Sequence, residues 1–164
     1  FTCGMLIMYA CSTLYHWWKP GKGKRVLRLL DHIGIYIMIA SSYTPICIGV
    51  VGGALGWVVF GLLWAVAIGG TFYKIFLLGR YPRLSLILYL MMGWSVVLIG
   101  KPVFEAMPAS ALCCILAEGI FYTSGTYFYA HDTRKYYHAI WHLFVLLGSI
   151  AHWTAVLLVL YEIS

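Results

Sequence analysis

Residues 139–161 read AIWHLFVLLGSIAHWTAVLLVLY, with no Asp, Glu, Lys or Arg among them. A run of this length and apolarity crosses a bilayer as a helix, since roughly 17 to 25 such residues span the hydrocarbon. Comparable runs occupy 1–18, 33–52, 54–73, 84–100 and 109–130. The chain therefore reads as all-α, a polytopic transmembrane bundle of six helices forming one integral membrane domain over 1–164. Composition leads the same way. With 63% hydrophobic and 10% charged residues in 164, more apolar surface exists than one soluble core of this size can hide. Phe1 already lies inside an apolar run, so no signal peptide is legible and the N-terminus is expected to be truncated.

Orientation follows from the basic residues. The first, third and fifth connections hold Lys19, Lys22, Lys24, Arg25 and Arg28, then Lys74, Arg80 and Arg83, then Arg134 and Lys135; only Lys101, beside Glu105, lies on the other side. The positive-inside rule places those three connections in the cytoplasm. The net charge of +6 requires no nucleic-acid partner, because such connections suit anionic lipid head groups.

His138 and His142 stand four residues apart at the start of the last run. On a helix this spacing stacks both rings on one face, where two imidazoles can share a metal ion. His16 ends the first helix, and Asp31 and His32 open the second, all at the cytoplasmic end of their helices. Ser12 lies one turn deeper than His16 on the same face. If these helices are neighbours, the groups share one depth. Three imidazoles (His16, His138 and His142) form a catalytic zinc set with an open coordination position, where a bound water reaches a pKa near roughly 7. Asp31 would orient that water or take its proton, and Ser12 would hydrogen-bond a developing oxyanion. Plainer roles stand beside these: an interfacial histidine pair bonded to neighbouring helices, His16 in an aromatic belt with Trp17 and Trp18, Asp31 as a helix N-cap, and Ser12 bonded back to its own helix.

Other features carry less chemistry. His152 is expected to be a packing or supporting group, and Glu118 a membrane-embedded acid with either a function or a bond to a neighbouring helix. Pro45 should kink the second helix, with Ser41, Ser42 and Thr44 available to satisfy the backbone there. Gly69 and Gly70 permit close helix packing, and the glycines of GVVGGALG fit a short outer turn. Cys3, Cys11, Cys47, Cys113 and Cys114 stand at no ligand spacing and imply no disulfide framework.

STLYH, DHIGIYIMIASSYTP and YYHAIWHLFVLLGSIAH together resemble the three signature blocks of the hemolysin III proteins, the bacterial branch of the progestin and adipoQ receptor family, whose superfamily includes alkaline ceramidases. The resemblance runs through essentially the whole chain. It implies a seven-helix fold with a cytoplasmic N-terminus, of which the first helix is absent here. It also implies zinc held by His16, His138 and His142, with Ser12 as the family's serine and Asp31 as the acid that holds the zinc-bound water. Ser41 and Ser42 depart from a usual Gly-Thr, and Glu118 from a small residue. Three functions follow as expectations: a zinc-dependent hydrolase cleaving an amide or ester in a lipid from the inner leaflet of a bacterial plasma membrane; a non-enzymatic receptor-like regulator of membrane homeostasis with structural zinc; or a cytolysin, which the absence of an export signal disfavours.

Overall fold

The structure is a computed structural model and describes residues 1–131 and 133–163. Among these every regular element is helical. By internal contacts the chain divides into two units, 1–99 and 100–164.

In the first unit, α1 covers Thr2–Trp17 and α2 covers Lys22–Pro45. The break between them falls at Lys19-Pro20-Gly21, where proline disfavours helix at the preceding residue and Gly21 takes φ 152°. α2 begins at Lys22, eleven residues before the apolar run at 33 that marked it in the sequence. Lys, Arg and Leu are strong helix formers. The helix therefore continues past the hydrocarbon-length segment toward water, and Asp31 lies in its interior; the N-cap is Gly21, so the capping role for Asp31 is corrected.

Pro45, where the sequence predicts a kink, is the last residue of α2, and the chain continues as a π-helix over Ile46–Val51. A proline lacks the N–H that the ladder needs and crowds the carbonyl four residues back. The Ser41, Ser42 and Thr44 hydroxyls bond to the carbonyls of Met38, Ile39 and Ala40 at 2.9, 2.8 and 2.9 Å. Gly52 and Gly53, both at positive φ, turn the chain into α3, Gly53–Leu77.

α4, Pro82–Gly93, gives way to a 3-10 segment, Trp94–Ile99. At that change the Tyr43 hydroxyl donates to the Gly93 carbonyl and accepts from the Val96 N–H at 3.0 Å, so a side chain of α2 sits in the helical ladder. α2 is the centre of the unit and packs against α1, α3 and α4. Tyr36 and Ala40 are its most buried hydrophobic side chains.

The second unit holds α5 (Gly100–Ala106), α6 (Ala109–Ala130) and α7 (Tyr137–Ile163), with α6 and α7 packed as a pair. Phe128 stacks on Phe144 with ring centroids 5.3 Å apart, and the Tyr122 hydroxyl meets Ser149 Oγ at 3.1 Å.

Five helical stretches are long and apolar enough to cross a membrane: Lys22–Val51, Gly53–Leu77, Arg83–Ala106, Ala109–Ala130 and Tyr137–Glu162. α1, at 16 residues, is shorter. Leu62, Phe72, Phe76, Leu98, Phe104 and Leu160 point outward with most of their surface bare, as lipid-facing residues do. This is an integral membrane protein, all-α.

Candidate metal centre

α7 starts at Tyr137 after the connection that ends with Tyr136 at φ 69°, so His138 and His142 occupy its first turns. Both are half-buried. Their spacing brings Nε2 of His142 to 3.1 Å from Nε2 of His138, with the rings 77° apart. Two nitrogens about 2.0–2.1 Å from a tetrahedral zinc stand roughly 3.3 Å from each other. The pair thus has nearly the separation that two ligands of one ion require, and two imidazoles suit zinc well.

The remaining proposed groups sit in the first unit. α1 and α2 run antiparallel in close contact: Gly4 lies against Ser41 and Met38, and Gly34 lies against Met8. Carried one turn further, that register brings Ser12 level with Asp31. The carboxylate of Asp31 is near enough to Cys11, next to Ser12, to act on it electrostatically. Ser12 is buried, and among the described residues its hydroxyl makes no back-bond to its own helix. His16 is exposed at the end of α1, its ring 4.7 Å from that of Tyr15. Lys24 folds back over the same end, with Nζ 3.2 Å from the Trp18 carbonyl and 5.3 Å from the Tyr15 ring. Each of His16, His138 and His142 offers one imidazole nitrogen suited to a metal ion.

Two features escaped the sequence. Glu118 and His152, read there as separate residues, form a pair on α6 and α7, Nδ1 to Oε2 at 2.8 Å. Lys74, counted there among the charges of a connection, lies within α3 and is 3% exposed. Its signal was present: Val59, Leu63, Ala67, Gly70 and Lys74 follow one another at helical spacing along the buried face of α3.

A model of the haemolysin-III-related family matches residues 1–153. The chain belongs to this haemolysin III family. Its relatives include the Hemolysin-3 homolog of Bacillus subtilis (strain 168), 39% identical over 96% of this chain and 74% of that one. Hemolysin-3 of Bacillus cereus is also 39% identical, over 88% of this chain and 66% of its own length. The monocyte to macrophage differentiation factor of Homo sapiens is 30% identical over 97% of this chain and 68% of its own. The haemolysin III chain described here thus spans between 66% and 74% of the length of these relatives. No solved structure matches it.

Proposed function

We propose that this haemolysin III protein is a zinc-dependent hydrolase of lipid amides or esters, working near the cytoplasmic face of the bacterial plasma membrane. The observation that carries the reading is the 3.1 Å approach of the His138 and His142 Nε2 atoms on a half-buried helical face. His16 is the third ligand, and three imidazoles leave a position for substrate chemistry. A zinc ion so held supplies Lewis acidity and lowers the pKa of water toward about 7.

The chain's own groups divide the remaining work. The Asp31 carboxylate orients the attacking water and takes its proton, and its position level with Ser12 supports that pairing. Ser12 Oγ, buried and not committed to its own helix, donates to the oxygen that gains charge as the carbonyl is attacked. Apolar outer faces of the helices give the acyl chains of a membrane lipid a path from the bilayer.

Metal analysis of the purified protein, followed by lipid turnover in Asp31→Asn, tests the reading. The variant keeps zinc and its fold while hydrolysis falls by about 100- to 10,000-fold. Normal turnover in that variant, or wild-type protein that holds no metal, rejects it.

A further inference from the structure

A second polar cluster lies wholly within the first unit and owes nothing to the proposed metal ligands. Arg28, His32 and Tyr36 follow one another at four-residue spacing along α2, a single stripe. Across from them α3 presents Gly70, against which the Tyr36 ring rests, and Lys74 one turn on. α4 contributes Tyr89, whose hydroxyl donates to the His32 carbonyl at 3.0 Å and whose ring lies 4.6 Å from that of Tyr36, and Ser85 beside it.

The charges do not balance. Lys74 acts electrostatically on His32, and Arg28 acts on both. Lys74 is 3% exposed, yet among the described residues its only close partner is the Tyr73 ring, 5.9 Å from Nζ. Asp31 is the single carboxylate of residues 1–99, and among the described residues neither Lys74 nor Arg28 forms an ion pair with it. Burying an ammonium without a counter-charge is expensive. The Tyr36 and Ser85 hydroxyls are buried side by side next to this cluster. Arg28 is exposed at the rim, where an incoming group would meet it first.

We propose that Arg28 and Lys74, flanking His32 whose Nδ1 donates to the Arg28 carbonyl at 2.8 Å, form a binding site for a phosphate group, carried by an anionic phospholipid or arriving as free phosphate. Guanidinium and ammonium are the side chains that recognise phosphate oxygens, and basic pockets between membrane helices on the cytoplasmic side hold anionic head groups. The basic connections assign that side to this end of α2, α3 and α4. The inference goes beyond the proposed hydrolysis and stands without it.

The test reconstitutes the full chain in nanodiscs of phosphatidylcholine containing phosphatidylglycerol, and native mass spectrometry reads the lipid retained. Wild type keeps phosphatidylglycerol in preference to phosphatidylcholine. Lys74→Met and Arg28→Gln each weaken that preference about tenfold or more, whereas Lys135→Gln, an exposed cation of the other unit, leaves it intact. Displacement of the lipid by inorganic phosphate, but not by chloride at equal ionic strength, assigns the same site to the free ion. In phosphate-free neutral detergent Lys74→Met unfolds no lower than wild type, because it removes an uncompensated charge. Should Lys74→Met fail to fold, Arg28→Gln decides, with Lys74→Arg expected to restore both fold and lipid preference. Equal retention of both lipids by wild type with no effect of phosphate, or an undiminished preference in Lys74→Met or in the deciding Arg28→Gln, overturns the proposal.

Discussion

The Glu118 and His152 pair shows what a single residue of this chain gains from its neighbour. Each is a costly group inside a membrane, and the 2.8 Å contact between α6 and α7 gives each the other as partner. Glu118→Ala strips the imidazole of that partner and should cost about 1–3 kcal/mol in thermal unfolding. Glu118→Gln, which retains an oxygen acceptor, should cost less; equal losses would show that only volume matters. The histidines of α7 carry a different expectation. Protons compete with a metal for imidazole nitrogen. If zinc is held by His16, His138 and His142 as proposed, it should be retained in mild alkali and released on acidification. Dialysis at stepped pH followed by metal analysis checks the sign, and retention that rises with acidity would contradict it. The i, i+4 histidine pair was legible in the sequence because one helix fixes both positions. The acid–imidazole pair was not, because two helices separated by a connection must pack before those groups meet.

At the scale of elements, hydropathy locates the apolar part of each helix and misses where the helix ends. α2 shows the difference, starting at Lys22 in a basic stretch that a search for hydrocarbon-length runs passes over. Helix formation depends on backbone bonding and propensity, which charged residues satisfy as well as leucine does. Pro45 was readable as an irregularity, but its form, a π turn over Ile46–Val51, needed the coordinates. Gly69 and Gly70 separate two readings that the sequence joined. A Cβ on Gly70 would overlap the buried Tyr36 ring, while one on Gly69 meets open space. Gly70→Ala should destabilise by about 1–3 kcal/mol through displacement of that ring. Gly69→Ala should stay within about 0.5 kcal/mol of wild type. Unfolding of the two variants in detergent measures the contrast, and equal effects would remove the close approach of α2 and α3 from the account.

For the whole molecule, ten of the eleven basic residues fall at one end of the helices as the connections alternate, so orientation is a prediction of the charge pattern. A membrane-impermeant maleimide on intact cells should label Lys101→Cys above the native-cysteine background and leave Lys135→Cys at background; the reverse would invert the proposed topology. Membrane residence, the all-helical class and the helices' approximate places were determined by the sequence alone. The reason is that a bilayer demands long apolar segments with every backbone group bonded internally. Tertiary structure alone decided which positions come level or meet: Ser12 level with Asp31, Glu118 bonded to His152, and Lys74 across from the Arg28 and His32 stripe. These contacts depend on the register and rotation of one helix against another. Those are set by small residues and ring shapes at the crossings, a property of pairs that no single helix's pattern contains.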